Sequence, residues 1–182
     1  LSDMAAVTAL RALTSAHPRR PVGLSLRPIT AADLPFLSDL YAEVRREELA
    51  PVPWPEEAKR AFLQDQFDLQ HAHYQKHYVG ADFLVIEFDG HAVGRVYVHR
   101  SPSDIRVMDI ALMPAYRGRG LGSALFAELI EESEHTGVPI SLHVEAENPA
   151  NRLYQRLGFE HWEDRGVYQF LGRRPGLRPV AP

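Results

Sequence analysis

Pro114-Ala115-Tyr116-Arg117-Gly118-Arg119-Gly120-Leu121-Gly122-Ser123 stands between an apolar run, Ile105–Met113, and a segment of helical period, Leu121–His135. Closely spaced glycines let a backbone turn sharply with several N–H groups aimed into one concavity. The helix that follows adds its unpaired N-terminal N–H groups and the positive end of its dipole. Arg117 and Arg119 bring cationic charge to the same turn. Strand, glycine turn and helix in this order make a site for a phosphate or pyrophosphate; the plain alternative is a turn that merely needs glycines. The stretch is not a P-loop, which requires a Gly-Lys-Ser/Thr end, and there is no Lys here. It is not a dinucleotide-binding Rossmann turn either. Its spacing is G-x-G-x-G, and the about 60 residues that follow are too few for a doubly wound sheet.

Working outward, the hydrophobic period alternates between two and 3.6. Leu24–Arg27 reads as a short strand. Thr30 offers an N-cap with Asp33 three residues on, followed by Leu37, Leu40, Tyr41 and Val44 at helical spacing. Pro51-Val52-Pro53-Trp54-Pro55 forbids helix and makes a rigid loop. A second helix runs from Glu56 to about His77, with Phe62, Phe67 and Tyr74 among its apolar positions. Phe83–Phe88 and Ala92–His99 form a hairpin around Asp89-Gly90. Ile105–Met113 is a fourth strand, and Leu121–His135 an amphipathic helix stopped by Gly137 and Pro139. Ile140–Ala146 is a fifth strand, Asn148–Leu157 a short helix and Val167–Leu171 a final strand. The order β-α-α-β-β-β-α-β-α-β predicts an α/β fold with a single mixed sheet and helices on both faces.

The short helix carries the second motif, Leu153-Tyr154-Gln155-Arg156-Leu157-Gly158-Phe159. Asn148 suits an N-cap, Pro149 the first helical position and Gly158 the C-terminal stop. Phe159 is placed to pack back on Tyr154 or Leu153, so Tyr154 has a purely structural reading as a core aromatic. Taken with Arg117-Gly118-Arg119-Gly120-Leu121-Gly122, this motif makes residues 24–171 resemble the GCN5-related N-acetyltransferase (GNAT) superfamily. The resemblance implies that the fourth and fifth strands splay and admit the pantetheine arm of acetyl-CoA like an extra strand. Backbone groups of Ile110, Ala111 and Leu112 would pair with that arm. Backbone N–H groups of Arg117, Gly118, Arg119, Gly120, Leu121, Gly122 and Ser123 would hold the pyrophosphate. The arginine side chains would reach phosphates or simply lie in solvent. The Tyr154 hydroxyl would protonate the departing thiolate as a general acid. In one respect the sequence departs from the commonest family pattern, which has an Asn seven residues before this Tyr. Here Asn148 stands six before and Asn151 three before. Either is a candidate contact to the pantetheine arm, Asn148 first; otherwise they cap the helix and face solvent.

An amine must be neutral to attack a thioester, and a free alkylamine has a pKa of about 10.4, so a base or a water relay is expected. Asp109 is the leading candidate, a charge embedded in Val107-Met108-Asp109-Ile110-Ala111-Leu112 where a buried strand wants none. The rival reading has it capping or pairing with an Arg. His143 and Glu145, on one face of the fifth strand, are further candidates. Ribosomal-protein acetyltransferases of the family carry a Glu near the place of His143. The acceptor site of the family is built largely from the first two helices. Here Gln66, Gln70, His73 and His77 fall on one helix face with Tyr74 and Tyr78 beside it, which suits a polar or cationic acceptor or else a wet surface. His73 and His77 at i, i+4 lack an evident third ligand, so no metal site is expected.

Composition sets the outer bounds. A chain of 182 residues, 45% hydrophobic and 24% charged, suits one domain with short tails, taken as 1–23 and 172–182. A net charge of −4 offers no general attraction for nucleic acid, and no Cys is present to form disulfides or an acetyl-enzyme. No apolar stretch approaches the roughly 18 residues of a membrane span, and Met4–Leu13, a short helix broken by Arg11, makes no convincing signal peptide. A cytoplasmic enzyme is expected, free to form a homodimer. It would transfer acetyl from acetyl-CoA to a primary amine, on a small polar or cationic molecule, by direct attack in a ternary complex. The alternatives are a protein N-terminal or lysine acetyltransferase and a non-catalytic acetyl-CoA-binding module. A nucleotide-dependent oxidoreductase is opposed by the glycine spacing.

Overall fold

The computed structural model describes residues 13–176, so the expected helix over Met4–Leu13 lies, save for Leu13, outside the described residues. The chain runs β1 (Leu24–Pro28), α1 (Leu34–Leu49), α2 (Glu56–His77), β2 (Asp82–Phe88), β3 (His91–Ser101), β4 (Asp104–Leu112), α3 (Leu121–Thr136), β5 (Ile140–Glu145), α4 (Asn151–Arg156), β6 (Glu160–Arg165) and β7 (Tyr168–Arg173). One seven-stranded sheet has the order β1-β2-β3-β4-β5-β7-β6. All neighbours are antiparallel except β4 and β5.

Local chemistry accounts for most of these boundaries. Thr30 and Asp33 form the expected capping box, around a single 3-10 turn that leads into α1. Asp89 and Gly90 both take positive φ, 50° and 80°, which fits the tight turn whose twist matches flanking strands. The two helix pairs cover opposite faces. Leu37, Tyr41, Leu63 and Phe67 join α1 to α2 over β3 and β4. Leu121, Leu125, Phe126 and Leu129 of α3 close the main core on the other face, with Tyr154 and Phe159. Each such fully buried side chain contributes about 1.5–3 kcal/mol by leaving water. No helix among the described residues is long and apolar enough to cross a membrane.

Four features differ from the sequence reading. A strand unforeseen from the pattern, β6, precedes the last one. Its sequence Glu-His-Trp-Glu-Asp-Arg has a single apolar residue, because it is an edge strand that buries only Trp162 over Gly172. The last strand begins at Tyr168 and runs on to Arg173, while Val167, 72% exposed, belongs to the turn before it. The start of the stretch taken as the C-terminal tail, 172–182, is held because the Arg173 guanidinium is buried, donating from Nε to the Leu157 carbonyl (3.0 Å) and from Nη1 to Glu134 (2.7 Å). At the other end, residues 13–23 are docked rather than loose. Leu13 lies in the core, and Arg20 makes a bidentate pair with Glu128 of α3 at 2.9 and 2.7 Å.

The feature that positions the site is the parting of β4 from β5. Their parallel pairing covers only Ile105–Val107 against Ile140–Leu142, although β4 stays paired to β3 through Leu112. A bulge lies where the register jumps from Tyr97↔Asp109 to Val98↔Val107, with Met108 the extra residue. Bulges bend a strand and sharpen its twist, which turns the second half of β4 away from β5. Gly94 allows β3 to follow it: a Cβ there would sit 2.3 Å from the Ala111 carbonyl oxygen. Gly94→Ala is therefore expected to cost about 2 kcal/mol by overpacking, read as a shift in the urea midpoint, and to displace Ala111 and Leu112.

Candidate active site

The glycine turn is organised as its sequence suggests. Pro114–Tyr116 forms one 3-10 turn, Gly118 and Gly120 take φ of 70° and 78°, and Gly120 caps α3, accepting from the Ala124 N–H at 3.0 Å. L-residues adopt such angles reluctantly, which is why glycine stands at both positions. The N–H groups of residues 118–123 find no acceptor among the described residues. A Cβ built on Gly118, Gly120 or Gly122 would meet nothing within 4 Å, so the cradle is open on the side the glycines face. Unpaired donors around open space, at a helix N-terminus, fit an anionic group such as a pyrophosphate. The arginines do less than their charge suggests. Arg117 Nε donates to the Leu112 carbonyl at 3.0 Å, bracing the turn on the end of β4, and the Arg119 guanidinium lies over the Tyr116 ring.

Beside the opening between β4 and β5 stands α4. It starts at Asn151, shorter than the sequence pattern implied, because Asn148 Oδ1 accepts from the Ala150 N–H (2.9 Å) in a turn that precedes it. Asn151 Nδ2 donates to the carbonyls of Glu145 and Ala146 at 3.0 and 2.8 Å, fastening the helix to the end of β5. Tyr154 is 7% exposed, its ring edge-on to Phe126 and Phe159 with centroids 5.4 and 5.8 Å away. The packing against Phe159 is thus as expected. No hydrogen bond joins its hydroxyl to a described residue. Burial pushes the phenol up to about 12, with a smaller contribution from the charge of Asp109, so the group is a proton donor throughout the working pH range.

On the α2 side the parted strands open into a cavity of about 330 Å³. Gln70, Tyr74 and Tyr78 line it from α2, Arg106, Met108 and Asp109 from β4, His143 from β5 and Tyr168 from β7. Asp109 is ion-paired through Oδ2 with Arg95, which is 4% exposed and also donates to Gln70 Oε1 at 2.9 Å. The pairing read from the sequence as Asp109's alternative role is present, yet Asp109 still faces the cavity. Burial raises Tyr74 well above the ordinary phenol value. His143 stacks on Phe170 at 4.9 Å, and its Nε2 lies 3.0 Å from Arg165 Nη1, accepting from that always-protonated group. Burial, then the charges of Arg106 and Arg165, lower its pKa.

The polar face expected on α2 divides. Gln70 enters the cavity, whereas His73 and His77 lie exposed outside it with ring centroids 4.5 Å apart, and Gln66 is half-buried outside it. Arg95, Arg106, Met108 and Tyr168 were not anticipated. Arg95 carried a readable signal: it interrupts Val93-Gly94-Arg95-Val96-Tyr97-Val98 as Asp109 interrupts the next strand, two opposite charges in neighbouring apolar runs.

Comparison with known proteins bears on the family and the fold. A family model described as "Acetyltransferase (GNAT) family" matches residues 37–159. The chain is 30% identical over 142 residues to the N-alpha-acetyltransferase RimI of Mycobacterium tuberculosis, covering 75% of this chain and 78% of that protein. It is 37% identical over 92 residues to a mycothiol acetyltransferase of Thermobifida fusca, covering 50% of this chain and 24% of the relative. Matches to two further curated relatives span 65% and 44% of the relatives' own lengths. Among solved structures, the PaiA N-acetyltransferase of Thermoplasma acidophilum, in complex with coenzyme A, superposes with a TM-score of 0.63 at 17% identity, over 83% of this chain and 98% of that one. That likeness is one of fold.

Proposed function

The chain belongs to the acetyltransferase (GNAT) family, and from that premise we propose that it transfers acetyl from acetyl-CoA to a primary amine on a small polar or cationic molecule. The observation that carries this reading is the opening between β4 and β5. Unpaired N–H groups of residues 118–123 lie at the end of β4, and an acceptor-sized cavity with Asp109 lies along the same strand. Acetyl-CoA supplies the activated acyl group when bound. The N–H groups of Gly118 to Ser123 would hold its pyrophosphate, and the edge of Ile110, Ala111 and Leu112 its pantetheine arm. Asn148 and Asn151, fastened in their own turn, would shape the wall of that channel.

Asp109 would take the amine's proton, because its Oδ1 has no partner among the described residues while Oδ2 is held by Arg95. His143 is the weaker candidate, since its Nε2 lone pair is engaged by Arg165. Tyr154 would hold a proton at its hydroxyl for the leaving thiolate. Attack is direct, in keeping with a chain that has no Cys. A peptide N-terminus is the second reading, favoured by the likeness to an N-alpha-acetyltransferase.

Acetyl-CoA is expected to raise the melting temperature, while ATP and NADH leave it unchanged. At a hundredfold excess over Kd, binding to the native state alone adds about 2.7 kcal/mol, or roughly 5–10 °C for a domain of this size. Thermal scans with the three ligands, followed by an amine screen reading free CoA release, test the proposal. Equal stabilisation by all three ligands would overturn it.

A further inference from the structure

Two partly satisfied charged groups of opposite sign face the same cavity. On one side is Asp109, its Oδ2 tied to the buried Arg95 and its Oδ1 without a partner among the described residues, with 19% of the side chain exposed. On the other is Arg106, three residues back along β4. Its Nε donates to Ser141 Oγ at 2.6 Å and its Nη2 lies 2.9 Å from Asp104 Oδ2. The guanidinium plane is set by the Phe170 ring, 5.1 Å away. Nη1 has no partner among the described residues, and 24% of the side chain is exposed, on the wall of the cavity. A guanidinium with one side braced and the other side free is a preorganised receptor for a planar anion. Asp104 stands against Arg106, which disfavours a dianionic phosphate and favours a single carboxylate charge.

We propose that the acceptor is a zwitterion of amino-acid type, whose amine is received by Asp109 Oδ1 and whose carboxylate is received by Arg106. This rests on the acetyl-transfer reading and narrows its substrate class. Along a strand, three residues span roughly 10 Å between Cα atoms. The two side chains converge from there on a ligand with its charges a few bonds apart, and the rings of Tyr74 and Tyr168 bound the space between. Arg106 is then the residue that decides specificity, and Arg95 the one that positions Asp109.

The probes are 3-aminopropanoate, 4-aminobutanoate and 6-aminohexanoate with their carboxamides, each titrated calorimetrically into the CoA-saturated protein and each assayed for CoA release. In the wild type, the best-fitting acid is expected to bind at least about tenfold more tightly than its amide. In Arg106→Gln the two affinities converge, and Arg106→Lys restores part of the preference. Amides that bind as tightly as the acids would overturn the inference, and this wild-type comparison needs no variant to fold. So would an Arg106→Gln protein that weakens acid and amide alike. CoA release with acids and amides at equal kcat/KM removes the zwitterion inference and leaves acetyl transfer standing. Preferential binding of acids without CoA release from acetyl-CoA supports the Arg106 subsite and removes acetyl transfer.

Discussion

Gly120→Glu is expected to weaken acetyl-CoA binding by more than about 1,000-fold, roughly 4 kcal/mol, while the protein stays folded. Gly120 sits at φ 78° as the cap of α3, a Cβ built there meets nothing within 4 Å, and the N–H groups of the same turn have no acceptor among the described residues. The fold loses little, because a Cβ at this position meets no protein atom within 4 Å. The backbone strain of an L-residue in this region costs about 1 kcal/mol, a drop of roughly 2–4 °C in melting temperature. Binding loses a great deal, because a carboxylate in a cradle of donors competes for them and repels a pyrophosphate, and like charges so placed cost several kcal/mol. Gly120→Ala separates the contributions: it carries the strain without the charge and should retain most of the affinity. Isothermal titration with acetyl-CoA on both variants checks this. Near-normal affinity in Gly120→Glu would remove the turn from the cofactor site.

Tyr154→Phe is expected to lower kcat by about 100-fold, the low end for general acid catalysis, since a thiolate leaves readily. Neither melting temperature nor the Kd for acetyl-CoA should change. The ring's contacts with Phe126 and Phe159 survive the change, and the hydroxyl has no hydrogen bond to lose. Because burial pushes this phenol up to about 12, it stays protonated from acid pH to well above neutrality. The wild-type kcat should therefore show no alkaline limb from Tyr154 below that value. Two measurements decide the matter. An unchanged single-turnover rate in Tyr154→Phe would make the residue a packing element alone. A fall of several degrees in melting temperature would mean that the hydroxyl is needed for the fold.

Some parts of the molecule are written in adjacent residues, and these were legible. The capping box at Thr30 and Asp33, the hairpin at Asp89-Gly90, the glycine turn and the α3 and α4 segments each depend on residues within a few positions of one another. Local sterics and the two hydrophobic periods are enough to read them. β6 was missed for the complementary reason. It has no period of its own and exists through pairing with β7 and through Trp162 lying over Gly172.

The site divides along the same line. By itself the sequence determined the glycine turn and the helix after it, a candidate anion site, because both carry their donors in one continuous stretch. It also marked Asp109 as out of place among apolar neighbours. Only the tertiary structure decided what Asp109 touches and which side chains share its cavity. Arg95, Gln70 and Asp109 come from three separate elements, and so do Arg106, Ser141 and Phe170. A helix face is read from the sequence as a single stripe, but the position of the sheet beneath α2 turns Gln70 toward Arg95 and leaves His73 and His77 in solvent. Which polar side chains share a cavity depends on how far β4 parts from β5, and a bulge at Met108, set by cross-strand register, fixes that opening.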